Sequence, residues 1–158
     1  MPGRLGIKEA KQRAGRFCAF RERSPNELFE KLQSWGLPED QASEVLSELS
    51  KEGFVDEQRF ANAFCNDKFQ FNSWGKQKIK AHIYSHKLPE VIVTNALNRI
   101  DPDQYENRLF ELAETKWQSL ERETDRMKRK QKTVNYLANK GFEMDLIWTA
   151  INKLEERL

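Results

Sequence analysis

Apolar residues recur along this chain at three- and four-residue spacing, the period of a helix with one buried face. Ala10, Ala14, Phe17, Cys18 and Phe20 line a predicted helix over about 8–23; Leu28, Leu32 and Trp35 line a second, and Ala42, Val45, Leu46 and Leu49 a third. The period returns in Phe60, Ala61, Phe64 and Phe69, in Ile79 and Ile83, and in Tyr105, Leu109, Leu112, Ala113 and Trp117. Val134, Tyr136 and Leu137 mark the penultimate helix, and Leu146, Ile147, Ile151 and Leu154 the last. Strand alternation is absent, and Val91-Ile92-Val93 is too short and too close to Pro89 to support a sheet. An all-α fold follows.

Stop and start signals repeat as well. Ser24-Pro25-Asn26-Glu27 reads as a capping box with proline in the first turn. Gly36 ends one helix and Pro38 opens the next. Asp56 caps a helix, Ser73 is expected to begin another, and Pro89 a third. One hairpin signature is written three times: Leu32, Gly36-Leu37-Pro38, Val45-Leu46; Ile83, Lys87-Leu88-Pro89, Ala96-Leu97; Leu137, Gly141-Phe142-Glu143, Ala150-Ile151. Its leading and closing apolar residues stand 14 apart each time, and the copies recur after 51 and 54 residues. Such a period indicates stacked supersecondary units. The expectation is three tandem three-helix repeats (1–54, 55–101 and 102–158) in an elongated, curved array. Lys87 occupies the place of Gly36 and Gly141; either it takes a left-handed backbone at a cost of about 1 kcal/mol, or that corner is built differently. In the third repeat, the helix through Trp117 is expected to continue into the charge-dense stretch that follows.

Composition agrees with a thin core: 38% of the 158 residues are hydrophobic and 33% charged. The net charge of +2 conceals segregation, since residues 39–57 carry seven acidic side chains against Lys51. Cys18 and Cys65 read as buried free thiols. Met1-Pro2-Gly3-Arg4 lacks an apolar signal region, and no stretch approaches about 18 uninterrupted apolar residues, so a cytoplasmic location is expected. Enzyme signatures are scarce. Gly75-Lys76 lacks the remaining elements of a phosphate loop, and His82 with His86 lacks an evident third metal ligand. No catalytic residue, cofactor or metal is assigned.

Basic residues offer more. Arg4, Lys8, Lys11, Arg13, Arg16, Arg21 and Arg23 cluster near the amino terminus; Lys76, Lys78 and Lys80 lie beside Phe69, Phe71 and Trp74. Arg126, Lys128, Arg129, Lys130 and Lys132 make five of seven consecutive residues basic. Such groups neutralise phosphates, and aromatics stack on unpaired bases. Candidate partner-binding residues are Arg16, Arg21, Arg23, Lys76, Lys78, Lys80, Arg126, Lys128, Arg129, Lys130 and Lys132. A helix-turn-helix reading around Trp35–Pro38 is the alternative, but its second helix carries Glu39, Asp40, Glu44 and Glu48, which phosphates repel.

Arg21-Glu22-Arg23-Ser24-Pro25-Asn26-Glu27-Leu28 with Lys31-Leu32 and Gly36 resembles the opening of the RecX recombination regulators. Gly53-Phe54-Val55-Asp56-Glu57-Gln58-Arg59-Phe60-Ala61 and Trp74-Gly75 with Ile79 and Ile83 resemble that family's next blocks. The resemblance covers roughly residues 17–100 and implies tandem three-helix repeats with no catalytic residues. It also implies a modulator of the RecA recombinase that binds the RecA–DNA filament and restrains its growth, ATP hydrolysis, strand exchange and co-protease activity; a monomer is expected. Direct contact with single- or double-stranded DNA is left open.

Overall fold

The structure, a computed structural model, describes residues 6–157; Arg4 and the rest of Met1–Leu5 lie outside them, as does Leu158. The described residues form nine α-helices: α1 (Ile7–Phe20), α2 (Pro25–Ser34), α3 (Glu39–Lys51), α4 (Glu57–Asn72), α5 (Lys76–Ile83), α6 (Glu90–Asn98), α7 (Pro102–Ser119), α8 (Arg126–Asn139) and α9 (Met144–Glu156). No strand occurs among the described residues, and one 3-10 turn (Tyr84–His86) follows α5.

Local signals explain most boundaries. Ser24 Oγ accepts from the Glu27 amide while Glu27 accepts from the Ser24 amide, the reciprocal capping box expected of that tetrapeptide. Asp56 accepts from the Arg59 amide at the start of α4, and Asp101 from the Gln104 amide at the start of α7. Corners after α2 and α8 share one construction. Leu37 N donates to Leu32 O (3.2 Å) and Gly36 N to Gln33 O (2.9 Å); Phe142 N donates to Leu137 O (3.2 Å) and Gly141 N to Ala138 O (3.0 Å). These are Schellman closures, which need a left-handed residue, and Gly36 and Gly141 supply φ of +95° and +98°. Lys87 takes the same left-handed region without glycine's freedom, at φ 55° and ψ 40°.

Two sequence expectations are corrected. Ser73 does not start a helix: it lies at φ 55°, and α5 begins three residues later. Nor does α7 run into the basic stretch. It ends at Ser119, and Asp125 caps a new helix by accepting from the amides of Met127 and Lys128, so Arg126–Lys132 is the first half of α8.

The helices fall into threes along the sequence, yet the chain divides into two compact units. The first holds the described residues up to Phe64 together with Ile83–Ala96; the second holds Cys65–His82 and the described residues from Leu97 onward. The middle three helices are therefore shared between two cores. In the first unit, Ala10, Ala14, Leu28, Leu32, Val45 and Leu49 are buried, with Phe17 and Trp35 packed against them. There the Ser24 hydroxyl and His86 Nδ1 share a 2.8 Å hydrogen bond, and the His86 ring lies 4.6 Å from that of Phe60. Burial holds the His86 pKa below its ordinary value.

In the second unit the amino-terminal end of α5 docks onto the corner after α8. Gly75 N donates to Lys140 O (2.7 Å) and Gln77 N to Gly141 O (3.0 Å), while Lys76 N donates to the Tyr105 hydroxyl (2.9 Å). Tyr105 in turn donates to Glu143 and packs between Phe69 and Phe142, its ring centroid 5.6 and 5.2 Å from theirs. A Cβ on Gly75 would come within 2.3 Å of the Gly141 backbone, so this joint requires glycine for its closeness. Gly15, inside α1, is different, because a Cβ there meets the Phe54 ring at an ordinary 3.6 Å. Gly75→Ala is expected to cost about 3 kcal/mol, whereas Gly15→Ala should stabilise by about 1 kcal/mol. Shifts of the urea midpoint in opposite directions are the check.

Candidate functional surfaces

Charged side chains, sorted by whether they hold the protein together or face outward, form the candidate surface. Arg23 belongs to the interior. Only 8% exposed, it stacks its guanidinium 3.8 Å from the Phe17 ring centroid and donates to Phe17 O at 3.1 Å. Phe17 lies in the last turn of α1, where carbonyls lack helical donors, so Arg23 closes that end. Arg129 covers the end of α7 in a similar way, adding to a carbonyl that also accepts from the Leu120 amide at 3.1 Å. It lies 4.1 Å from the Trp117 ring centroid and donates twice to Trp117 O, at 3.0 and 2.6 Å. Both arginines, counted among the candidate partner-binding residues, thus direct donors into the fold.

A third instance sits at the end of α4. Arg108, on α7, lies 4.8 Å from the Phe69 ring centroid, donates to Phe69 O (2.9 Å), and donates to Ser73 Oγ (3.0 Å). It fixes the turn that begins at the left-handed Ser73. The sequence offered no sign of this role, because Arg108 stands 39 residues from Phe69.

The rest of the carboxyl-terminal cluster is mostly paired. Arg126 and Lys130 both reach Glu155 (2.8 and 2.9 Å), and Lys132 reaches Glu123 (2.8 Å). These solvent-screened pairs orient α8 more than they stabilise it. The ammonium partners draw the Glu155 and Glu123 pKa values down. Lys128 is exposed, its charge close enough to help hold Glu123 ionised, on a helix whose Met127 is 70% exposed.

Near the amino terminus, Arg16 is exposed and, with Lys8, Lys11 and Phe54, lines an open groove of about 660 Å³. Lys11 there bridges Glu48 and Glu52 (3.2 and 2.7 Å), so part of the acidic face of α3 is already neutralised. Arg21 is exposed and paired with Glu27 at 2.7 Å.

Lys76, Lys78 and Lys80 separate as helical geometry requires. The Lys76 ammonium lies 5.0 Å from the Tyr105 ring centroid, Lys78's lies 4.7 Å from Trp74's, and Lys80 is exposed. Lys68 also approaches Trp74 (5.0 Å), as does the His82 ring (4.4 Å). Lys140 joins this corner by donating to Asn72 O at 2.8 Å. Neither Lys68 nor Lys140 stands out in the sequence. Both cysteines are buried free thiols, and burial pushes the Cys65 pKa up to about 12. No group of three or more metal-ligating side chains occurs among the described residues. Among those residues, no helix is long and apolar enough to cross a membrane.

Family models for the RecX first, second and third three-helix domains match residues 10–49, 56–97 and 103–151, in that order. The chain belongs to the RecX family. Curated relatives carry the name regulatory protein RecX. The Clostridioides difficile protein is 29% identical over 147 residues, covering 92% of this chain and 68% of its own length. The Oceanobacillus iheyensis protein is 26% identical over 139 residues, covering 88% of this chain. This chain spans 51% of that relative's length. The crystal structure of RecX from Lactobacillus salivarius superposes with a TM-score of 0.87 at 21% identity, covering 94% of this chain and 96% of that one, a likeness of fold. A RecX regulatory role and tandem three-helix repeats are thereby shown.

The division between interior and outward arginines has a direct test. Arg23→Ala should lower stability by about 2 kcal/mol, because it removes stacking, a capping hydrogen bond and buried packing together. Arg21→Ala, two residues away and exposed, should change it by less than about 0.5 kcal/mol. Equilibrium denaturation of the two variants reads the difference.

Proposed function

We propose that this protein binds the RecA–DNA filament and restrains it, lowering ATP hydrolysis, filament extension, strand exchange and co-protease activity. The observation that carries the reading is the ordered match of all three RecX domains on one chain. The relatives' shared name, regulatory protein RecX, supports action by regulation rather than catalysis. The distribution of charge supports a mechanism of contact. Lys128, Arg16 and Arg21 face outward, while Glu39, Asp40 and Glu44 stand exposed on α3. Patches of opposite sign suit a partner whose own surface alternates in charge, and they set encounter rate and register. Bridging neighbouring filament subunits in this way hinders the motions that accompany ATP turnover. The repeats act in the cytoplasm, where that filament forms, without a cofactor.

Single-strand-dependent ATP hydrolysis by RecA, measured with increasing amounts of this protein, tests the proposal. Inhibition at substoichiometric protein is the expected outcome, weakening as salt is raised. Unchanged hydrolysis at equimolar protein would contradict it.

A further inference from the structure

The corner where α4 ends and α5 begins carries positive charge that the interior does not use. Lys140 Nζ donates to the Asn72 carbonyl (2.8 Å), and the Lys78 ammonium rests on the Trp74 ring (4.7 Å); neither interaction neutralises a charge. The two lysines are neighbours because the Lys78 stem lies directly over Gly141, where an added Cβ would come within 2.3 Å of Lys78 Cβ. Gly141 is thus needed for the approach as well as for its turn. Burial and the field of Lys78 both push the Lys140 pKa down, as adjacent like charges must. Beside Asn72 stands Phe71, with 82% of its surface exposed, an aromatic side chain that the core leaves outside.

We infer that this corner binds single-stranded nucleic acid directly, with Lys78 and Lys140 holding a backbone phosphate and Phe71 stacking on a neighbouring base. Two repelling ammonium groups suit a compact anion with several acceptor oxygens better than a single carboxylate. The Trp74 ring is already occupied by Lys78, Lys68 and His82, so it organises the cations and leaves the base to Phe71. A held backbone plus one stacked base carries no hydrogen-bond code, so binding is independent of sequence. The inference stands apart from the filament reading, since it needs no recombinase.

The test is fluorescence anisotropy of a dye-labelled, mixed-sequence single-stranded DNA oligonucleotide, titrated with this protein alone across a salt series. For Lys78→Gln/Lys140→Gln, affinity should fall by about 10-fold or more, and the log–log salt slope should shrink by about 0.7, for the one phosphate no longer neutralised. Phe71→Ala should weaken binding by about 5-fold or more with its salt slope unchanged. Circular dichroism verifies folding. Should the double variant not fold, Lys78→Gln alone carries the test, with a weaker affinity and a slope reduced by part of that amount. Parent-like affinity and slope in the folded lysine variant would overturn the inference. So would tighter binding of the duplex than of the single strand, or displacement of the oligonucleotide by an equal-length polyglutamate at the same concentration.

Discussion

In each three-helix repeat the first helix ends under an arginine. Phe17, Phe69 and Trp117 lie in the last turns of α1, α4 and α7, and Arg23, Arg108 and Arg129 each cover the ring and bond the same residue's carbonyl. Two needs are met at once. A helix end is short of donors: Phe17 O receives the Arg23 bond, and Phe69 O and Trp117 O, which also accept from the Ser73 and Leu120 amides at 3.1 Å, receive further ones. A large aromatic ring also needs a lid where the chain turns away. A guanidinium is flat enough to stack and donates in its own plane, so one group does both. Arg23 and Arg129 come from the aromatic residue's own repeat, whereas Arg108 comes from the next, tying α7 to the end of α4.

That tie matters because the middle repeat is divided between two cores. The early part of α4 and most of α6 belong to the first unit; the late part of α4 and most of α5 belong to the second. In the second, Arg108 holds the end of α4, and backbone bonds from Gly75 and Gln77 hold the start of α5. The start of α5 is satisfied by the Gly141 carbonyl and the Tyr105 hydroxyl, both from the third repeat, instead of by a cap from its own sequence. This explains why Ser73 is free to take the left-handed backbone and accept from Arg108.

Features legible in the sequence were those decided within a few residues. The Ser24–Glu27 box, the Gly36 and Gly141 corners and the apolar stripes each announce themselves locally, and the family blocks are built from them. Lys87 was legible as an anomaly, but spacing left its backbone open, and the left-handed conformation emerges only in the structure. Basic runs were harder, because a run of charges does not say which member is turned inward. Arg23 and Arg129 stand among residues of identical type, and only their proximity to Phe17 and Trp117 separates them from Arg21 and Lys128. The boundary between α7 and α8 was missed for a related reason: Asp125 sits inside a charge-dense stretch where a cap looks like one more charge. Lys140 escaped notice because its neighbours Lys78 and Asn72 are more than sixty residues away in sequence.

These arginines act through planar stacking and directed donation, with charge alone insufficient. Arg108→Lys isolates that claim, since it keeps the charge and most of the stem but loses the fork. Equilibrium urea unfolding of this variant should show a loss of about 1–2 kcal/mol, undiminished in high salt. Stability equal to the parent's, or a loss that vanishes as salt is added, would contradict the account.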